Sequence, residues 1–323
     1  MAKRRARNQP EKARTGLLED IQRVLSDQPD NVELLMAKSI IQQASDEEAA
    51  LASARRARSL APDNAQTVIL EASLLKQMSR PEEALNLLQE SVSQAPDNIR
   101  IRRFYARSLF AVDPQGAAEQ FQVLQKMAPN DSDTMFFLAL TLTRLQRYDE
   151  ASAQFNQLLE QGVRTDEANY HLGLIALEQK QTRQALEYFR RVGPGQEYLS
   201  ATSQIARILL AADQRDALQR HFAAQRAEHD MLSVSLFVLE ADIFAQLGDY
   251  TTSIALLNQA LAEHDNDTRL LYARALTAEK KQDIAAAERD LRRILAQEPD
   301  NAMALNALGY MLTNHSERHA EAY

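Results

Sequence analysis

"DEANYHLGLIALEQKQTRQALEYFRRV" (166–192) holds two amphipathic stretches joined by a short polar turn. On each side of the turn apolar residues return every three or four positions, the period of a helix with one buried face. Gly173 and Ala185 place one small residue in each stretch, and Phe189 stands one helical turn after Ala185. Small residues let two helices cross closely, and a large residue one turn on fills the space beside the crossing. The stretch predicts a helical hairpin.

The hairpin is one copy of a repeat. "PDN" occurs at 29–31, 62–64, 96–98 and 299–301, with "PND" at 129–131. Pro29, Pro62, Pro96 and Pro129 are 33, 34 and 33 residues apart, and Pro299 follows Pro129 by 170, five intervals of 34. A second ruler is independent of proline. Ala50, Ala84, Ala117, Ala151, Ala185, Ala217, Ser253, Ala287 and Ala322 keep spacings of 32 to 36. Bulky residues often follow one turn later: Leu88, Phe121, Phe155, Phe189, Leu257 and Leu291. The preceding helix has its own small row of Ala72, Ala139, Gly173, Ala241, Ala275 and Gly309. Proline closes one unit, and Asp or Asn caps the next. Pro81 and Pro114 begin second helices, where the missing N–H costs nothing.

Composition agrees with helices. Of 323 residues 45% are apolar and 25% charged, so burial is possible and wholesale disorder is not expected. Gly and Pro are sparse, at 8 and 9, and no alternating β-branched runs stand out. The fold expected is all-α. Cysteine is absent, which excludes disulfides, thiolate metal sites and Cys nucleophiles. No apolar run approaches the ~18 residues of a membrane span, and the N-terminal residues do not read as a secretory signal. The net charge is −8, with +5 in residues 1–14 and about −13 in the remainder. An acidic body argues against nucleic-acid binding.

A 34-residue helix–turn–helix with these small and aromatic positions resembles the tetratricopeptide repeat. The resemblance implies a right-handed α-solenoid of about nine units, with first helices starting near 31, 65, 98, 132, 166, 198, 234, 268 and 302. The unit near 198 is the most degenerate. Residues 1–9 read as a basic flexible end, 10–30 as an unpaired helix of a preceding repeat, and 31–323 as the repeat array. Both ends are expected to be incomplete, since a solenoid is finished by polar capping faces.

Two stretches are more specific. "VGPGQEYL" (192–199) is an unusual insertion between repeats, and the last unit, with "LNALGYML" (305–312), carries an extra residue before Ala322. Together they resemble the tetratricopeptide lipoproteins of gammaproteobacteria that act as adaptors for a carboxy-terminal processing protease, from about residue 20 to 322. That resemblance implies a periplasmic protein, anchored to the outer membrane through a lipidated N-terminal Cys. It would be non-catalytic and would deliver protein substrates, cell-wall hydrolases among them, to a serine protease and help activate it. The chain itself carries neither the signal nor the lipidated Cys. The rivals are an assembly scaffold for envelope polysaccharide or pilus machinery, and an enzymatic activity residing in other parts of a longer chain.

In such a superhelix the first helix of each unit lines the concave face. Repeat spacing gives one inner row as Leu35, Ile69, Arg102, Phe136, Tyr170, Thr202, Val238, Tyr272 and Asn306. The row one turn on is Ser39, Ser73, Ala106, Leu140, Leu174, Ala206, Asp242, Leu276 and Tyr310. Arg102, Phe136, Leu140, Tyr170, Leu174, Tyr272, Leu276 and Tyr310 are the candidate partner-binding residues. Phe136, Leu140, Tyr170 and Leu174 are expected to form an apolar patch suited to an extended segment. The alternative is that these residues pack between repeats, because a one-residue error in phase moves every position. A carboxylate clamp has weak support, since Arg102 and Arg103 stand several repeats from Lys280 and Asn306.

No catalytic, cofactor or metal site is expected. His315 and His319 are four apart, but Glu317 is misplaced for a His-Glu-x-x-His zinc motif. Gly193-Pro194-Gly195 lacks the following Lys-Ser/Thr of a phosphate loop and reads as a tight turn offsetting two repeats. No Ser-His-Asp arrangement has positional support.

Overall fold

The structure is a computed structural model that describes the backbone of residues 2–315 and the side chains of 13–314. His319 and Ala322 lie outside the described residues, as does the side chain of His315. Among the described residues all regular structure is helical, and no helix is long and apolar enough to cross a membrane. The chain divides into two compact units, the first ending at Arg164 and the second beginning at Thr165.

The first unit contains α1 (Ala2–Asp27), α2 (Val32–Gln42), α3 (Glu47–Leu60), α4 (Ala65–Gln77), α5 (Pro81–Gln94), α6 (Ile99–Leu109), α7 (Pro114–Met127), α8 (Ser132–Arg144) and α9 (Tyr148–Glu160). Helix α1 starts at Ala2, so residues 2–9 and Pro10 belong to one helix. The second unit contains α10 (Thr165–Glu178), α11 (Thr182–Phe189), α12 (Tyr198–Ala211), α13 (Arg215–Glu228), α14 (Ser233–Gln246), α15 (Tyr250–Glu263), α16 (Thr268–Lys280), α17 (Ile284–Gln297) and α18 (Ala302–His315). From α2 onward helices pair as antiparallel hairpins, and each hairpin packs on the next within its unit.

Capping explains the punctuation. In each Pro-Asp-Asn the asparagine is the cap: Asn31 accepts from Leu34 N at 3.0 Å, Asn64 from Gln66 N at 2.9 Å, Asn98 from Ile101 N at 3.2 Å and Asn301 from Ala304 N at 3.0 Å. In Pro-Asn-Asp the aspartate takes over, and Asp131 accepts from Thr134 N at 3.0 Å. A capping oxygen satisfies an N–H that the first turn leaves without a helical partner. Ala61, Ala95 and Ala128, each preceding a proline, leave the helical region, as the pre-proline clash requires.

The crossings are built from the small rows. Ala72, Ala139, Ala241 and Ala275 are buried on first helices, and Ala50, Ala84, Ala117, Ala151, Ala185, Ser253 and Ala287 on second helices. At Gly173 the approach is closest, since a Cβ there would meet Phe189 Cε1 at 2.5 Å. Phe121, Phe155 and Phe189 are fully buried one turn after the second-helix small position, and Phe222 is fully buried one turn after Leu218. Burying each such ring contributes about 1.5–3 kcal/mol.

The degenerate hairpin breaks the ruler. Ala217 is only partly buried, whereas Leu218 is fully buried four residues after the start position Gln214, the place that alanine or serine holds elsewhere. A leucine there hid the register, and Phe222 was missed with it.

Turn length moves the inner row. The hairpin turns at Ser79, Gln146, Lys180, Asp213, Gly248 and Gln282 each contain a residue with φ between 56° and 79°. The α2–α3 and α6–α7 turns lack one, and Asn31 to Asp46 is one residue shorter than Asn64 to Arg80. Rows counted back from second helices therefore slip by one in those two hairpins. Leu35, Ser39, Arg102 and Ala106 are buried, and Met36, Ile40, Arg103 and Arg107 hold the inner register.

Junctions between hairpins bury charge. In the first unit Glu71 is 4% exposed at its side chain and receives Arg58 Nε at 2.6 Å and Arg55 Nε at 3.3 Å. In the second unit Glu240, at 1%, receives Arg226 Nη1 at 2.5 Å, and its Oε1 is buried without a hydrogen-bond partner. Burial pushes the Glu240 carboxyl up, against the pull of Arg226.

Candidate protein-binding groove

In the second unit the first helices α14 and α16 run side by side, and the start of α18 closes one side of the space above them. Between them lies a cavity of about 520 Å³. Val238, Tyr272 and Leu276 form its apolar floor, with Leu199, Leu239 and Ala273 beside them and Met303 at the rim. Val238 and Tyr272 are 34 residues apart, as are Asp242 and Leu276, so repeat register alone brings these side chains together. Thr268, Tyr272, Leu276 and Lys280 follow at four-residue steps along one face of α16.

The polar rim is unevenly paired. Arg269 folds its guanidinium onto Asp267, with Nη2 to Oδ2 at 2.9 Å, and Asp267 also caps α16. Those hydrogen bonds hold the Asp267 carboxyl below its ordinary value despite its burial. Asp242 accepts from Gln246 Nε2 at 2.6 Å. Lys280 lines the same cavity and has neither an ion-pair nor a hydrogen-bond partner among the described residues. The arrangement offers van der Waals contact to an apolar side chain and one charge of each sign beside it.

The expected residues separate into groups. Tyr272 and Leu276 line the groove. Tyr310 lies on α18, is 64% exposed and is not among the residues lining that cavity. Tyr170 is half-buried, with its ring 6.0 Å from Phe189 and 5.5 Å from His171, and Leu174 packs against the same core. Of the expected four-residue patch, Phe136 and Leu140 belong to the first unit and Tyr170 and Leu174 to the second.

In the first unit the corresponding face has a different character. Phe136 is half-buried against Phe155 at 6.1 Å and Phe137 at 5.8 Å, with the Arg164 guanidinium 4.7 Å above its ring. Arg107 lies 4.1 Å above Phe137. Asp133 accepts from Arg164 at 2.5 Å and pairs with Arg107 at 3.6 Å, while Arg103 reaches Asp131 at 2.9 Å. Arg102 is not part of this face. It is buried at 9% and donates to Gln120 Oε1 at 2.6 Å and to the Pro96 carbonyl at 2.8 Å.

Val238 and Asp242 stood in the expected rows, but Met303 and Leu199 did not. Met303 precedes the inner positions of α18, and Leu199 belongs to the hairpin whose register the sequence obscures. Among the described residues no group of His, Cys, Asp and Glu is arranged to hold a metal ion.

The fold and groove define a helical-repeat scaffold for protein–protein interaction. Residues 136–197, 238–291 and 272–322 match the tetratricopeptide repeat family. The chain is 38% identical over 157 residues to TPR repeat-containing protein PA4667 of Pseudomonas aeruginosa, an alignment covering 49% of this chain and 27% of that protein. Among solved structures it is similar to MamA, with 16% identity, a TM-score of 0.44, and coverage of 50% of this chain and 89% of that one. A tetratricopeptide repeat protein from Parabacteroides merdae has 15% identity and a TM-score of 0.45, with 87% and 98% covered.

Proposed function

We propose that the chain is a non-catalytic adaptor that holds segments of partner proteins in the groove on α14 and α16 and delivers them to a carboxy-terminal processing serine protease, which it helps activate. The observation that carries the binding part is the apolar floor of Val238, Tyr272 and Leu276 under a rim that includes Lys280, which has no partner among the described residues. Apolar grooves with a few placed polar groups are where extended segments bind. The protease part is supported by the sequence resemblance at 192–199 and in the last unit. In this reading the protease supplies the catalytic serine, and the scaffold raises the local concentration of substrate by tethered binding. The location that goes with it is the periplasm, at the outer membrane through a lipid anchor carried by the intact protein.

The experiment is a crosslinking pull-down from a periplasmic extract with the chain as bait, in the native form and as Leu276→Asp, followed by mass spectrometry. Recovery of a tail-processing protease in both, with its substrates lost in Leu276→Asp, is the expected result. Recovery of polysaccharide or pilus components without a protease would replace the adaptor by an assembly scaffold.

A further inference from the structure

The chain has eight methionines and no cysteine, so the thioether is its only oxidisable sulfur. A thioether is oxidised where the oxidant reaches its sulfur, and the sulfoxide turns an apolar side chain into a polar one. Among the described methionines two are exposed, Met231 at 98% and Met303 at 59%, whereas Met135 and Met311 are buried. Met231 lies in the 3-10 turn Asp230–Leu232 between α13 and α14 and is not among the residues lining the groove. Met303 is the second residue of α18 and lines it. Ser235, Arg269 and Met303 are 34 residues apart and form one row of the groove, about a turn before Val238 and Tyr272. Arg269 is drawn back onto Asp267, so Met303 is the apolar member of that row.

We propose that Met303 is a modification site, and that its oxidation to the sulfoxide closes the groove on α14 and α16 to apolar occupants. The oxidant is a peroxide. A lone pair on Sδ attacks one peroxide oxygen, the S–O bond forms as the O–O bond breaks, and with hydrogen peroxide the second oxygen leaves as water. Sulfur loses two electrons and the oxidant gains them. The product carries a strong S–O dipole at the rim. An occupant resting on Val238, Tyr272 and Leu276 covers that rim and strips water from the dipole, and an apolar side chain offers no donor in exchange. Met231 stands apart from the groove, so its oxidation is silent. Thiol-dependent reduction of the sulfoxide reopens the groove. The inference rests on the groove reading above and adds its regulation by oxidant.

The test treats the 323-residue chain with hydrogen peroxide and maps sulfoxides by mass spectrometry of proteolytic fragments. Binding is read as fluorescence anisotropy of a labelled probe, the peptide amide Gly-Ser-Gly-Leu-Phe-Ser-Gly. Met231 and Met303 should be oxidised before Met135 and Met311. Probe affinity should fall about tenfold as Met303 sulfoxide accumulates, at unchanged circular dichroism. Met231→Leu should weaken on treatment as the native chain does. Met303→Leu, compared with its own untreated form, should not weaken. Methionine sulfoxide reductases of both epimer specificities should restore binding to the treated native chain. Met303 oxidised no faster than Met311, or a Met303→Leu chain that weakens on treatment like the native one, overturns the inference. Unchanged affinity with Met303 fully oxidised overturns it too. If binding then still disappears in Leu276→Asp at unchanged helicity, the groove reading stands without it. Absence of saturable probe binding, or binding untouched by Leu276→Asp, overturns both.

Discussion

In the first unit α6 and α8 carry Arg103, Arg107, Phe136 and Phe137, and each of these arginines lies on a ring or reaches a carboxylate. In the second unit α14 and α16 hold the repeat positions of Arg103, Arg107, Phe136 and Leu140 with Val238, Asp242, Tyr272 and Leu276, and the space above them is open. Both faces rest on the same kind of small-residue crossing, backed by Phe121 and Phe155 in the first unit and by Leu257 and Leu291 in the second. The repeat therefore fixes where an inner side chain sits and leaves its chemistry free. A face whose charges are satisfied internally gains little from a partner. An apolar floor beside an unpaired cation has contacts still to make.

The largest expected difference between the units lies at the buried junctions. Arg226→Ala leaves Glu240 buried with no cation and should cost about 3–5 kcal/mol. Arg58→Ala leaves Glu71 with Arg55 and should cost about 1 kcal/mol, the upper range for a partly exposed pair. Urea unfolding of the two variants measures both, and equal losses would mean that the junctions are equivalent. Next comes binding. Tyr272→Ala with Leu276→Ala should weaken capture of a groove ligand by about 30-fold, the scale of a 2 kcal/mol hot spot. Phe136→Ala with Leu140→Ala should leave capture unchanged while lowering stability, which anisotropy and circular dichroism separate.

Packing gives a smaller contrast. Gly173→Ala drives a methyl group into Phe189 and should destabilise by about 1–2 kcal/mol. Ala139 already fills that position in the first unit without displacing Phe155. The smallest effect is on pH dependence. All six histidines follow residue 164. Burial holds His171 and His221 below the ordinary 6.5, and Arg190 adds to the shift at His221. The unfolded chain therefore binds more protons as pH falls through 6.5, and stability should decline there. Urea midpoints between about pH 7.5 and 5.5 should fall, and His171→Gln with His221→Gln should flatten the slope. A flat profile in the native chain would remove these histidines as the cause.

Much of the fold was legible because its punctuation has local causes. A proline stops a helix whatever its surroundings, and Asn31, Asn64, Asn98 and Asn301 cap with their own side chains. The small rows mark crossings directly. Leu218 was hidden because a leucine stands where alanine or serine marks the other second helices. Arg102 was misassigned for a different reason. The α2–α3 and α6–α7 turns lack a left-handed residue, and that is a backbone property which Lys, Gln, Ser and Asp fill elsewhere with no common sequence signal. Of the candidate site, Tyr272 and Leu276 could be read from spacing. The pairing of Arg107 and Arg164 could not, because both depend on Asp133, a carboxylate from another element of the chain.

The central claim is that the second unit's groove is the binding face. A photoreactive phenylalanine analogue placed at position 276, and separately at 140, tests it with a periplasmic extract and mass spectrometry of the crosslinked segments. The account predicts crosslinks from position 276 to apolar segments of partner proteins, and background yield from 140. Equal yields from the two positions, or none from 276, would contradict it.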